Sequence, residues 1–168
     1  MTLALTIIFL VFGVIIGSFL NVVIYRYNTH RTLGGRSACM SCKNLLCWYE
    51  LIPVASYCIQ GGRCRNCKSK FSAQYPLVEL FTGLVFGALF YKFANLFYTD
   101  TISFSLSFAY YATLFSLLII IAVYDLKHKI IPDTLSIVLG ICATIGIFFF
   151  EPGNYIGLYP HIPHLSYI

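Results

Sequence analysis

Charge is what this sequence has least of. Charged side chains make up 10% of the 168 residues and hydrophobic ones 59%, with 6 acids against 11 Lys and Arg. A soluble domain carries about 25% charged residues, so too few remain here to coat a water-facing surface. The same shortage excludes intrinsic disorder, which needs low hydrophobicity and high charge. From Leu3 to Tyr25 there is no charged side chain at all. No basic residue precedes that run and no small-residue cleavage site follows it, so it reads as a retained anchor and not as a signal peptide. Internal repeats, low-complexity tracts and a nucleotide-binding glycine motif are also lacking.

What is present is organised by hydropathy. The Leu3–Tyr25 run is long enough to cross a hydrocarbon core of about 30 Å. Further spans are expected over about Pro76 to Tyr98, Ile102 to Tyr124 and Thr134 to Phe150. Pro76 suits a helix first turn, and Lys92 can snorkel to an interface. The fold class is therefore an all-α polytopic membrane protein with about four transmembrane helices. Its expected division is 1–25 as the first helix, 26–75 as a polar Cys-containing loop, 76–150 as three more helices and 151–168 as a tail.

The charges that do occur are clustered. Arg26, Arg31, Arg36, Lys43, Arg63, Arg65, Lys68 and Lys70 share their stretch with one acid, Glu50. Such a patch could suit nucleic acid, which would show as salt-sensitive binding. A polar loop between spans collects Lys and Arg because positive segments stay in the cytoplasm, and on that rule no nucleic-acid partner is expected. With that loop cytoplasmic, four spans return the Asp125-Leu126-Lys127-His128-Lys129 segment to the same side.

Two C-x-x-C pairs, Cys39/Cys42 and Cys64/Cys67, lie in the loop. Two such pairs read as a four-thiolate structural zinc site, with no coordination position left for catalysis. Disulfides or uncoordinated thiols are the alternatives, and a cytoplasmic setting disfavours the first. Cys47, Cys58 and Cys142 read as small apolar residues.

The first two spans carry related faces: Gly13, Gly17 and Asn21 in one, Glu79, Gly83 and Gly87 in the other. Small residues at this spacing let helices approach closely in lipid, and a polar side chain can bond across the contact. Antiparallel packing with Asn21 near Glu79 is expected, so cysteines at Gly17 and Gly83 should crosslink. Alternatively the glycines are incidental and Glu79 favours a helix N-terminus. Asp125 follows about twenty uncharged residues at the membrane boundary. It marks either the end of a span or, facing other helices, a functional acid. Asp133, after Pro132, reads as a helix cap.

Five blocks in register resemble one family. They are Gly17-Ser18-Phe19-Leu20-Asn21-Val22-Val23-Ile24-Tyr25-Arg26, the two C-x-x-C pairs, Trp48-Tyr49-Glu50-Leu51-Ile52-Pro53, Tyr75-Pro76-Leu77-Val78-Glu79-Leu80 with Thr82-Gly83, and Asp125 to Asp133. The chain resembles the prepilin peptidases, membrane aspartic peptidases of type IV pilus and type II secretion systems, over roughly residues 13–140. The resemblance implies a multi-pass protein of the inner (plasma) membrane. It implies cleavage of prepilin or pseudopilin leader peptides on the cytoplasmic side, with Asp125 as the first catalytic aspartate. It also implies N-methylation of the new N-terminus from S-adenosylmethionine in many members. The family's second aspartate comes from a later G-x-G-D segment, which these residues do not contain. The expectations left by that departure are a fragment of a longer reading frame, a non-catalytic relative that binds pilin-like helices, or a carboxylate from another chain.

Overall fold

The computed structural model describes residues 1–29, 32 and 34–150, with the backbone alone for 147–150. Arg31 and the expected tail 151–168, including Glu151, lie outside the described residues. Five α-helices follow in order: α1 (Thr2–Arg26), α2 (Ala55–Ile59), α3 (Gln74–Thr99), α4 (Thr101–His128) and α5 (Asp133–Phe150). Two isolated β-bridges are the only extended pairing among the described residues. The all-α class expected from composition is what the chain adopts.

Three helices, α1, α3 and α4, are long and apolar enough to cross a membrane. The fourth expected span corresponds to α5, whose described apolar part, Asp133–Gly146, is shorter. The 25 residues of α1 rise about 37 Å. Ile7, Ile8, Val11, Ile15 and Phe19 stand exposed along it. In water that stripe would be a large apolar patch, and in a bilayer it meets lipid.

The bundle has two cores. Toward the α3–α4 link, Phe86, Phe90, Phe93, Phe104 and Phe108 form an aromatic cluster. Phe9 of α1 inserts into it, stacking on Phe90 at 4.5 Å and meeting Phe108 edge-on at 4.8 Å. Toward the other end the filling is aliphatic, from Leu20, Ile24, Val78, Ile119 and Ile120.

Helix ends explain the chain's turns. Asp100 caps α4: its Oδ1 accepts from the N–H groups of Ile102 at 3.0 Å and Ser103 at 3.3 Å. The Ser103 hydroxyl also donates to it and, with these amides, holds the carboxyl below its ordinary 3.8. A carboxylate with a depressed folded-state pKa contributes stability that is complete above the unfolded value and lost as pH falls through the folded one. Asp100→Ala is therefore expected to lower the melting temperature at pH 7. The difference from the parent should vanish in melts below the folded-state value.

Helix α4 runs one turn past the expected span of about Ile102 to Tyr124, to His128, and stops where Lys129 takes φ 54°. Pro132, expected from the sequence to end any helix continuing through this segment, lies beyond that stop. Lys129 turns left-handed first, and its N–H closes on the Asp125 carbonyl at 2.6 Å. Asp133 is the first residue of α5, where a carboxylate complements the helix dipole.

Candidate functional site

Three features converge at one end of the bundle: the α1–α3 polar junction, the Cys-containing loop and the last turn of α4. The junction rests on the glycines. A Cβ on Gly13 would lie 2.8 Å from the Thr82 carbonyl oxygen and 2.9 Å from the Gly83 Cα; one on Gly17 would lie 2.8 Å from the Glu79 Cα. The two backbones are thus in direct contact, antiparallel, as the paired glycine faces predict. The register is a turn from the expected crosslink, with Gly13 opposite Gly83 and Gly17 opposite Glu79 and Thr82.

Asn21 and Glu79, buried in this junction, do not bond to each other. The Asn21 amide nitrogen donates to the Tyr75 carbonyl at 3.0 Å. A Glu79 carboxylate oxygen accepts the N–H of Val54 at 2.7 Å. Val54 has φ 58° and ψ −52°. The Ala55 N–H reaches the Pro53 carbonyl at 2.5 Å across it. This is the strained form of γ-turn, uncommon for any residue and more so for a β-branched one. Glu79 therefore fixes the Trp48–Pro53 block to α3 by gripping its most strained peptide. Sequence reasoning placed both blocks side by side in a family pattern but had no signal for this contact.

In the loop, all four sulfurs of Cys39, Cys42, Cys64 and Cys67 lie within 4.8 Å of one another. The two knuckles repeat each other. Cys39 N–H donates to Asn44 O and Lys43 N–H to Cys39 O, both at 2.9 Å. Cys64 N–H donates to Ser69 O at 2.9 Å and Lys68 N–H to Cys64 O at 3.0 Å. Lys43 and Lys68 both adopt left-handed φ, 57° and 58°. A tetrahedral ion with bonds of about 2.3 Å sets its sulfurs about 3.8 Å apart. Cys39–Cys67 at 3.7 Å and Cys42–Cys64 at 4.0 Å match that edge. This donor set fits a metal ion.

The backbone N–H of Cys42 points at the Cys39 sulfur and brings its pKa down to about 6, against the opposing effect of burial. The Ser69 hydroxyl, and after it the Ser69 N–H, lowers Cys67. For Cys42 the Asn44 amide also pulls down, but burial and the neighbouring thiols outweigh it and push the group up to about 11. Cys47, Cys58 and Cys142 stand apart from the cluster. Cys47 has a task the sequence did not reveal: with Glu50, whose carboxylate accepts the Cys47 N–H at 2.9 Å, it caps the 3₁₀ turn Trp48–Leu51.

Asp125 sits half-buried in the last turn of α4. Lys127, two residues on, places its Nζ 3.5 Å over the Tyr25 ring. Tyr25 in turn stacks on Tyr75 at 4.8 Å. Tyr27 meets Tyr124 edge-on and hydrogen-bonds to Thr134. These contacts bind the α4–α5 turn to the end of α1. A cavity of about 920 Å³ lies between the loop and the α1–α3 junction, with Tyr25, Tyr75, Asn21 and Glu79 in its wall.

Residues 11–93 match the profile of the Bacterial Peptidase A24 N-terminal domain. The chain is 40% identical over 140 residues to a prepilin leader peptidase/N-methyltransferase of Myxococcus xanthus, covering 83% of this chain and 39% of that protein. It is 35% identical over 131 residues to the Bacillus subtilis protein of the same name (77% and 49%) and 32% over 139 residues to that of Vibrio cholerae (77% and 51%). The chain therefore spans about half or less of the length of these relatives. No solved structure matches.

Proposed function

Since residues 11–93 of this chain belong to the bacterial peptidase A24 N-terminal domain family, we propose that the protein acts as a prepilin leader peptidase of the aspartic type, with Asp125 as one catalytic carboxylate. The observation that carries this reading is positional. Asp125 shares one end of the bundle with the basic, Cys-containing loop, joined to it through Lys127, Tyr25 and Tyr75. By the preference of Arg and Lys for the cytoplasm, that end is the cytoplasmic one, in the inner membrane, where a leader would be presented.

An aspartic peptidase uses two carboxylates that share a proton. The ionised member takes a proton from water, whose oxygen attacks the scissile carbonyl. The protonated member donates to the carbonyl oxygen, and the tetrahedral adduct then breaks its C–N bond, the amine leaving with a proton. Asp133 lies beyond the left-handed Lys129 turn on a different helix and receives no part in this scheme. The partner carboxylate is the one the resemblance assigns to a G-x-G-D segment.

The ion at the four cysteines is zinc in this reading. It is structural, because four thiolates complete its coordination. S-adenosylmethionine, whose sulfonium supplies a transferable methyl group, would be held in the cavity between the loop and α1–α3. About 920 Å³ lies within the usual range for small-molecule sites. The test of the main reading is leader cleavage in membranes containing the protein. Asp125→Asn is expected to lower the rate about 10²–10⁴-fold. An unchanged rate would remove Asp125 from the mechanism.

A further inference from the structure

The middle of the Cys-containing loop has two sides. Glu50, Leu51, Pro53, Ser56 and Tyr57 line the cavity. Trp48, Tyr49, Ile52 and Ile59 do not, and they stand exposed, Trp48 at 77% and Ile59 at 75%. These side chains come from one short folded unit: α2 packs on the Trp48–Leu51 turn, and the Ile52 carbonyl accepts the Ser56 N–H at 3.0 Å. Trp48 meets Tyr49 edge-on at 5.7 Å, and the Arg65 guanidinium lies 5.1 Å over the Tyr49 ring. That contact brings the second knuckle beside the aromatic pair. Arg63, Lys68 and Lys70 of the same knuckle are exposed as well. Glu50, the one acid between Arg26 and Tyr75, is engaged by the Cys47 N–H. Large apolar side chains and uncompensated positive charge therefore share one outer surface, the combination that binds an anionic lipid interface.

The height of this unit along the bundle selects the partner. The 26 residues of α3 rise about 39 Å against a hydrocarbon core of about 30 Å, so its terminal turns lie among headgroups. Val54 is held by Glu79 in the second turn of α3, which sets the Trp48–Ile59 unit beside those headgroups and not out in the aqueous phase. Trp and Tyr are favoured at that level, and Arg and Lys there attract anionic lipid. Nucleic acid is the other polyanion such charge attracts, but Ile52 and Ile59 offer no aromatic face on which a base could stack. We propose that this outer surface docks on the bilayer that holds the helices. Trp48, Tyr49, Ile52 and Ile59 enter the upper acyl region, and Arg63 and Arg65 meet the phosphates of anionic phospholipids. The loop is then gripped from two sides, by Glu79 within the protein and by lipid outside it. The anionic content of the leaflet thereby sets how firmly the outer wall of the cavity is held.

Trp48 is the single tryptophan, so the full chain in vesicles of phosphatidylglycerol and phosphatidylcholine tests this without any cleavage. With Trp48 about 5–10 Å into the headgroup–acyl boundary, lipids brominated on upper acyl carbons should quench it at least about 3-fold more than lipids brominated near the chain ends. Each Arg near an anionic surface is worth about 5-fold in the ratio of docked to undocked loop. Arg63→Gln combined with Arg65→Gln should therefore lower that ratio about 25-fold, read by titrating phosphatidylglycerol content, and change it little in pure phosphatidylcholine. Ile59→Ser should weaken quenching in both lipids. Near-ultraviolet circular dichroism reports whether each variant folds, and the parent protein alone decides the comparison of bromination depths. Four results would overturn the proposal: no quenching by either brominated lipid, stronger quenching from the chain ends, an arginine pair whose loss is felt equally in both lipids, or a Trp48 shielded from aqueous iodide only when a single-stranded oligonucleotide is added.

Discussion

On the proposal that the four cysteines hold zinc, replacing Cys64 with serine, or treatment with a strong chelator, is expected to reduce bound zinc from one per chain to none and to unfold the loop from about residue 38 to residue 70. The loop has little else to hold it. Among its residues only Cys39, Cys64 and Gly62 are buried. Its regular pairing is limited to the Ala38–Leu45 and Arg63–Lys70 bridges. Structural zinc in small domains contributes an apparent binding free energy of about 10–16 kcal/mol at neutral pH, more than such a loop gathers from burial. Metal analysis and limited proteolysis would read the effect directly, the loop becoming cleavable while α1, α3 and α4 stay protected. Full proteolytic resistance after complete metal loss would show that the Glu79–Val54 and Cys47–Glu50 contacts suffice on their own.

Gly13→Leu is expected to be the most damaging single change within the bundle. Its Cβ alone would sit 2.6 Å from the Phe86 Cβ and 2.8 Å from the Thr82 carbonyl oxygen. Backbone atoms cannot swing aside, so α1 and α3 must separate along their length. Overpacking ordinarily costs about 1–3 kcal/mol, and a clash with backbone belongs at or above the top of that range. The contact has its own ruler: a Cβ built on Gly87 stands 3.4 Å from the Leu10 Cβ, close to the separation that a disulfide spans. Cysteines at Leu10 and Gly87 should therefore crosslink readily in the parent and poorly in Gly13→Leu. The melting temperature should fall alongside. Undiminished crosslinking would mean that the helices accommodate the side chain without parting.

Much of this was legible in the residues because it depends on local pattern. The uncharged runs dictate helices, since lipid offers no partner to an open backbone. The spacing of Cys39, Cys42, Cys64 and Cys67 dictates a shared site, because each pair can close only a tight knuckle. The facing glycines of α1 and α3 announced their contact for the same kind of reason: a missing Cβ is a property of the sequence. Less legible were the ends. The polar Asp125–Lys127–His128 stretch suggested the end of a span, yet Lys127 rests over the Tyr25 ring and His128 against the Tyr124 ring, so α4 runs on.

By itself, then, the sequence determined which long segments are helical, and its spacing pointed to the α1–α3 contact and to the four sulfurs that meet. Only the tertiary structure decided where Glu79 and Asn21 spend their hydrogen bonds. A carboxylate chooses among donors by distance, and the Val54 amide, twenty-five residues away in sequence, became its partner only when the loop folded back over α3. The cavity, and the Asn21 oxygen in its wall that has no donor among the described residues, follow from that three-dimensional choice and from no feature of either segment alone.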